Sequence, residues 1–254
     1  MKPLLEVNDL TIQVNQQLLL HNVSFKVVQG RITALVGGSG SGKTTIASAI
    51  LGLLPPALEV TRGQILFEHK NLSLLNKEQM RLMRGSSIAM VFQEPLGAFN
   101  PLMTIGQQID EVLEIHTKLH KDQRWHKILD VLSRVELPNP AEVYHRYPHQ
   151  LSGGQRQRAM IAQAVVAHPK LIIADEPTSN LDVILQARIM DLFRRFKREG
   201  MTILLISHDL GMVSHLADDV VILDKGQVVE EGSVNAVMKH PKHTYTQRLM
   251  EAFQ

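Results

Sequence analysis

The chain has 254 residues, 44% of them hydrophobic, which is enough for one large α/β domain with a sizeable core. Its 27 lysines and arginines nearly balance 25 aspartates and glutamates, so the charge gives no support to a nucleic-acid partner. The absence of cysteine excludes disulfides, thiol nucleophiles and cysteine-ligated clusters, and no apolar run reaches the roughly 18 residues that span a bilayer.

The first thirty residues predict two half-buried antiparallel strands. Apolar residues alternate with polar ones from Leu10 to Val14 and again from Val23 to Val27. Gln29 and Gly30 then predict a turn that leads into a short, continuously apolar strand at 32–36.

A glycine-rich segment follows that strand and precedes a helical pattern. Gly37, four further residues and Gly42-Lys43-Thr44 match a phosphate-binding loop set between a buried strand and a helix. Glycines let successive backbone N–H groups surround an anion, Lys43 would reach the β- and γ-phosphates, and Thr44 would bind Mg²⁺. The alternative interpretation is a Gly/Ser-rich turn without a ligand. The predicted nucleotide-binding residues are Gly37, Gly38, Ser39, Gly40, Ser41, Gly42, Lys43, Thr44 and Thr45.

The middle of the chain has mostly helical spacing. The helix after Lys43 should end before Pro55-Pro56, since proline lacks an N–H. Strands are predicted at 63–67 and 88–92, and Thr104 with Gln107 predicts a capping box. We therefore expect a helical subdomain at 93–167 within a single domain whose core comprises 1–92 and 168–254.

The remaining pattern predicts a parallel sheet. Apolar runs at 171–175 and 202–206 flank a helical pattern from Val183 to Lys197, as in a βαβ unit. Asp224-Lys225-Gly226 predicts a hairpin turn.

Two adjacent carboxylates end the first of these apolar runs. Asp175 would hold Mg²⁺ at the carboxyl end of its strand, and Glu176 would polarise the water that attacks the γ-phosphate. The alternative is an acidic pair that caps the following helix.

A second helix-capping site lies at Leu151-Ser152-Gly153-Gly154-Gln155, where Ser152 would cap a helix whose N-terminus favours negative charge. Together with the loop, Gln93, the acidic pair and Ser207-His208-Asp209, in this order, it resembles the nucleotide-binding subunits of ABC transporters. The resemblance covers about 4–247 of the chain. It implies the P-loop NTPase fold of ABC type, a mainly parallel α/β core with an antiparallel β subdomain and a helical subdomain.

The same resemblance implies ATP and Mg²⁺ as ligands and a head-to-tail pair of subunits. The signature of one subunit, Leu151, Ser152, Gly153, Gly154 and Gln155, would face the γ-phosphate held by the loop of the other. Thr44, Gln93 and Asp175 would hold Mg²⁺, and His208 would contact the γ-phosphate and order Glu176. The loop crossing the interface would contain Asn180, Leu181 and Asp182.

One position departs from the family pattern. The aromatic residue that usually stacks on adenine is replaced by Val14 at the end of the first strand. Loss of a base–aromatic stack costs about 1–3 kcal/mol, so we expect weaker or less base-selective nucleotide binding.

A narrower resemblance to the dipeptide, oligopeptide and nickel importer ATPases comes from 92–101, 147–155 and 240–247. Many peptide-type members carry a longer, cysteine-containing C-terminal extension, whereas this chain ends at Gln254 without cysteine, which favours nickel or metal-chelate import over peptide import. His116 and His120 have a helical metal-binding spacing, but a solvated helix face is favoured because no third ligand has motif spacing.

The resemblance implies a peripheral subunit at the cytoplasmic face of the bacterial inner membrane. Its partners would be a second ATPase, two transmembrane permease subunits and, indirectly, a solute-binding protein. The sequence leaves open the cargo and whether the second ATPase is a copy or a paralogue. The alternative function is a soluble ABC-type ATPase of an assembly system without a permease.

Overall fold

The structure is a computed structural model that describes residues 2–179 and 181–251. Asn180, predicted in the interface-crossing loop, lies outside the described residues. The described strands are β1 (Pro3–Val14), β2 (Gln17–Val28), β3 (Ile32–Gly37), β4 (Leu58–Phe67), β5 (Lys70–Asn71), β6 (Ile88–Val91), β7 (Leu171–Asp175), β8 (Thr202–Ser207), β9 (Asp219–Asp224) and β10 (Gln227–Ser233).

The described helices follow the expected caps and breaks. They are α1 (Lys43–Ile50), α2 (Lys77–Met83), α3 (Pro95–Ala98), α4 (Ile105–His116), α5 (Lys121–Arg134), α6 (Pro140–His145), α7 (Gly153–Val165), α8 (Val183–Arg198), α9 (Leu210–Leu216), α10 (Val234–Lys239) and α11 (Thr244–Glu251). Single 3₁₀ turns occur at Leu72–Leu74 and Pro148–Gln150. Within the described ranges, none of the helices has the length and hydropathy needed to cross a bilayer.

The chain divides into two compact units, one formed by residues up to 81 with those from 196 onward, the other by 82–195. In the first unit an antiparallel sheet has the order β2-β1-β4-β5. The predicted alternation is confirmed in β2, since Val23, Phe25 and Val27 are buried while Ser24 and Lys26 are exposed. In β1 it is wrong, since Thr11 is buried and Val14 only half-buried where the pairing with β2 shifts register. β4 begins at Leu58, five residues earlier than the sequence predicts, because Leu58–Gln64 pairs along β1 as far as Val14.

The first unit also contains a mixed sheet around β3. β3 pairs in parallel with β8 on one side and β9 on the other, and β10 joins β9 through the predicted hairpin. All six residues of β3 are buried, as expected for a central strand of a parallel sheet that is covered on both faces. Arg31 braces this sheet, donating to both carboxylate oxygens of Asp219 at 2.7 and 2.8 Å.

The second unit combines helices with the parallel pair β6 and β7. The predicted capping box opens α4, since the Thr104 hydroxyl accepts from the Gln107 N–H and the Gln107 side chain accepts from the Thr104 N–H. Ile105, Ile109 and Leu113 recur every four residues on α4 and are fully buried.

The proposed helix containing both His116 and His120 is wrong. His116 is the last residue of α4, and the Thr117 hydroxyl donates to the Leu113 carbonyl at 2.6 Å as the backbone leaves the helix. His120 precedes α5, and its N–H donates to the Gln123 side chain at 2.9 Å. The described residues contain no group of three or more His, Cys, Asp or Glu that could hold a metal ion.

Candidate nucleotide site

Two glycines define the ends of the predicted phosphate loop. A Cβ added to Gly37 would lie 2.2 Å from the carbonyl oxygen of Leu223 on β9, so packing excludes any side chain there. Gly42 has a φ of +104°, in the left-handed region that favours glycine. The loop therefore begins at a close contact and ends at a backbone conformation that other residues rarely adopt.

Lys43 begins α1 and folds back over the loop. Its Nζ donates to the carbonyl oxygens of Gly37 at 2.9 Å and Gly38 at 2.8 Å, and the residue is only 7% exposed. Gly42 has no side chain to cap α1, and the helix N-terminus, with its partial positive charge, begins directly after the loop. A buried ammonium group and a helix N-terminus together form an environment that favours phosphate.

Ser41 supplies a further polar group to the same loop. Its hydroxyl is buried and has no hydrogen-bond partner among the described residues. Its backbone is fixed, since the N–H donates to Gly38 at 3.3 Å and the carbonyl accepts from Gly226 at 3.2 Å. The glycine cradle, the ammonium and the helix N-terminus are donors that fit a triphosphate. The Thr44 hydroxyl lies one residue into α1 on an exposed side chain and suits Mg²⁺.

His208 emerges at the sheet edge from which the loop begins. Ser207, the last residue of β8, is opposite Val36 in the parallel register with β3. His208 therefore follows β8 where Gly37 follows Val36, and its side chain is exposed. Asp209 then caps α9 by accepting from the Met212 N–H at 3.0 Å. The first unit thus places the predicted His208 beside the strand that carries the loop.

The second unit brings Gln93 and Glu176 together. β6 and β7 run in parallel with Val91 opposite Ala174, so both residues follow neighbouring strands at the same edge. The Gln93 Nε2 donates to Glu176 Oε2 at 3.2 Å. Asp175, the last residue of β7, is 3% exposed and belongs to this edge.

The peptide after Asp175 is tightly held. Glu176 has a φ of +45°, which is uncommon for a residue with a side chain, and its carbonyl accepts from the Ser179 hydroxyl at 2.9 Å. The buried Gln157 on α7 donates to the Pro177 carbonyl at 2.7 Å. Gln157 was not singled out by sequence reasoning, because a glutamine inside a helix carries no motif signal. This hydrogen bond links α7, the helix that begins in the signature, to the segment that follows Asp175 and Glu176.

The predicted signature forms the expected cap of α7. The Ser152 hydroxyl accepts from the Gln155 N–H at 3.3 Å, and the Gln155 side chain accepts from the Ser152 N–H at 2.9 Å. Leu151 is buried, and a Cβ on Gly154 would lie 2.7 Å from Leu185 on α8. A Cβ on Gly153 would meet open space, so this glycine exposes backbone at the helix N-terminus.

Leu181 and Asp182 lead into α8. The Leu181 N–H donates to the Thr178 carbonyl at 3.3 Å, and the Asp182 side chain accepts from the Leu185 N–H at 2.9 Å. Asp182 therefore caps α8 in addition to any role at an interface.

The comparisons with known proteins identify the family. The family model for the ABC transporter matches residues 20–179. The chain belongs to the ABC transporter family. The oligopeptide transport ATP-binding protein OppD of Lactococcus lactis subsp. cremoris is 44% identical, covering 93% of this chain and 70% of the relative. The dipeptide transport ATP-binding protein DppD of Escherichia coli is 41% identical over 91% of this chain and 71% of the relative.

The chain spans about half the length of a third relative. The peptidoglycan transport ATP-binding protein YejF of Agrobacterium fabrum is 45% identical over 99% of the chain, which spans 47% of that relative. Among solved structures, cbiO1 from Clostridium perfringens is 28% identical with a TM-score of 0.82, covering 94% of this chain and 92% of the other. The ATP-binding cassette MJ0796, in a dimeric post-hydrolysis state with ADP and Pi, is 26% identical with a TM-score of 0.81, covering 91% and 98%. The predicted fold class is confirmed, and the chain is an ABC ATPase.

Proposed function

We propose that this ABC ATPase powers a membrane importer of dipeptides or oligopeptides. The observation that carries the proposal is the 44% identity to an oligopeptide transport ATP-binding protein across 93% of the chain. The sequence left two kinds of cargo open, peptides and nickel or metal chelates. The names of the relatives favour peptides, and import of nickel or metal chelates stays a prediction.

The two local sites support a proposed role for each of these residues. In the first unit, Lys43 and the N-terminus of α1 would bind the β- and γ-phosphates, and Thr44 would offer its hydroxyl to Mg²⁺. In the second unit, Asp175 and Gln93 would offer side-chain oxygens to Mg²⁺. The ion neutralises charge on the phosphate oxygens when bound. Glu176 accepts a proton from the attacking water while Gln93 orients its carboxylate through the 3.2 Å hydrogen bond. His208 contacts the γ-phosphate from the end of β8.

The proposed active form is a head-to-tail pair. In it, Ser152 and the α7 N-terminus of one subunit face the phosphates on the loop of the other. The Ser152 hydroxyl accepts from Gln155, so its own hydrogen is available to donate to an anion. The dimeric state of MJ0796 with ADP and Pi supports this arrangement. The second subunit is a copy of this chain or a paralogue.

The proposed permease contact is the segment after Gln93. Leu96 is 56% exposed and Leu102 is 84% exposed, so this part of the 93–167 subdomain presents apolar side chains to a partner. Two permease subunits at the inner membrane would dock there, with the ATPase at the cytoplasmic face and a solute-binding protein delivering cargo to the permeases.

The test is transport in vesicles by the full chain purified with its membrane partners. ATP-dependent uptake of a labelled tripeptide, absent with Glu176→Gln, is the expected result. Uptake of a labelled nickel chelate instead would show that the cargo is nickel or a metal chelate rather than a peptide. Purification without any multispanning protein, with ATP hydrolysis intact, would favour the soluble assembly ATPase.

A further inference from the structure

The C-terminal helix contacts the phosphate loop through one hydroxyl group. Tyr245 lies in the first turn of α11, and its Oη accepts a hydrogen bond of 2.9 Å from the backbone N–H of Gly38. The two residues are 207 positions apart in the sequence and belong to the same compact unit. The contact gives the 240–247 segment, which the sequence singled out, a physical connection to the nucleotide site.

Gly38 is held at both of its backbone polar groups. Tyr245 binds its N–H, and the Lys43 ammonium binds its carbonyl oxygen at 2.8 Å. A Cβ added to Gly38 would lie 3.2 Å from the Tyr245 oxygen and meet nothing else within 4 Å. Gly38 does not have a positive φ, so its backbone conformation does not require glycine. The space that a side chain would take at this position is occupied by the tyrosine hydroxyl.

Tyr245 is itself fixed in place by the neighbouring strand and core. The Glu230 carboxylate on β10 accepts from the N–H groups of Lys242 at 2.9 Å and His243 at 3.0 Å. The His243 Nδ1 then accepts from the Tyr245 N–H at 3.2 Å. The tyrosine packs against the buried cluster that contains Val36, the residue before the loop. A rigid support of this kind makes a single hydrogen bond effective in fixing the loop.

We propose that Tyr245 is a positioning residue for the phosphate loop. Its hydroxyl fixes the peptide between Gly37 and Gly38, whose carbonyl oxygen accepts from the Lys43 ammonium at 2.9 Å, and in this way it helps to set the position of that ammonium. The loop therefore meets the phosphates already ordered, with less conformational freedom to lose on binding. This inference rests on the proposed role of the loop in binding Mg-ATP.

The first test is nucleotide affinity of the full chain with Tyr245→Phe, measured by calorimetric titration with Mg-ATP. Removing one supporting hydrogen bond is expected to raise Kd about three- to tenfold. Tyr144→Phe is the matched control, because it removes the same hydroxyl group from a tyrosine in the other unit. The ring of Tyr144 packs edge-to-face on Trp125, with the ring centroids 4.4 Å apart. The control is expected to bind Mg-ATP like the wild type.

A second measurement separates positioning from general support of the fold. Gly38→Ala in the wild type brings a methyl group against the Tyr245 oxygen and should weaken binding, whereas the same change in Tyr245→Phe meets no oxygen and should cost less. The two substitutions are therefore expected to be non-additive. In ¹⁵N-glycine spectra, Tyr245→Phe should shift the Gly38 amide resonance and speed its hydrogen exchange.

The outcomes are distinguishable. Wild-type Kd in Tyr245→Phe, or additive effects with an unshifted Gly38 amide, would overturn the positioning role while leaving the loop as the ATP site. Failure of the folded wild-type chain to bind Mg-ATP would overturn the proposed nucleotide site, and the inference with it.

Discussion

Helix α1 begins after Gly42, which has no side chain, whereas helix α7 begins after Ser152, whose hydroxyl accepts a hydrogen bond from Gln155. Both N-termini carry the partial positive charge that favours anions. At α1 the backbone itself is presented, with a buried Lys43 beside it. At α7 a reciprocal capping box pairs the N–H groups of Ser152 and Gln155, and the Ser152 hydroxyl can still donate.

The difference indicates that the two helix N-termini have different roles in phosphate binding. The α1 end has no side-chain cap and carries a buried ammonium beside it, so it suits binding of a nucleotide by a single chain. The α7 end has two of its N–H groups paired by the capping box, so it suits a surface that engages phosphate when another subunit presents it. Three substitutions test this difference, in order of decreasing expected effect, and a fourth, smaller one tests the support of α11.

Glu176→Gln should slow ATP turnover by about 10²–10⁴-fold, because the amide cannot accept the proton of the attacking water. ATP binding should persist, since the amide oxygen still accepts from Gln93. With Mg-ATP trapped between an α1 end and an α7 end, the mass in solution should double if the chain pairs with itself.

Phosphate release under multiple turnover and light scattering check these expectations. Glu111→Gln, at an exposed position on α4, is the control. Turnover near the wild-type rate in Glu176→Gln would contradict the assigned role. A persistent monomer with bound nucleotide would point to a paralogous second ATPase.

Lys43→Ala should raise the Kd for Mg-ATP about 10- to 100-fold, because a hydrogen bond to a charged group contributes about 1.5–3 kcal/mol. Nucleotide titration of the isolated chain is the measurement, and Lys121→Ala at the exposed start of α5 is the control. Unchanged affinity would show that the α1 end does not bind the phosphates.

Ser152→Ala should lower turnover about tenfold, while the Kd of the isolated chain stays within about twofold. It should also lower the free energy of unfolding by about 1 kcal/mol through loss of the cap. Ser233→Ala is a matched control, because Ser233 caps α10 by accepting from the Ala236 N–H at 3.3 Å. Equal losses of turnover in both variants would show that Ser152 acts only as a helix cap and does not contact the phosphate.

Glu230→Gln tests the support of α11 and should have the smallest effect. Burial raises the pKa of Glu230, but the N–H groups of His243 and Lys242 outweigh it and hold the pKa below its usual value. A depressed folded pKa means that the charged form stabilises the fold above about pH 4.3, and that this contribution is lost as the pH falls through the folded pKa.

At pH 7 the variant should therefore lose about 1 kcal/mol in the free energy of unfolding, and the difference from wild type should shrink toward pH 3. Denaturant titration at the two pH values measures it. Glu231→Gln, an exposed neighbour, is the control. A difference independent of pH would show that the carboxylate charge is not involved.

Much of the site could be predicted because its signals are local. The phosphate loop, the Thr104 capping box and the Ser152 cap each depend on residues within a few positions of one another. The alternation in β2 and the apolar run of β3 likewise determined which faces are buried. The prediction that His116 and His120 share one helix is wrong because helix spacing alone does not show that the helix ends at Thr117.

The sequence by itself determined which chemistry is present: the ammonium of Lys43, the carboxylates of Asp175 and Glu176, and the two helix N-termini. Tertiary structure alone decided that Gly37 lies against the Leu223 carbonyl, that Gln157 holds the Pro177 carbonyl, and that Tyr245 reaches Gly38. Gln157 and Pro177 are 20 positions apart in the sequence, and Gly38 and Tyr245 are 207 positions apart. These contacts depend on strand pairing and helix packing, to which no short motif corresponds.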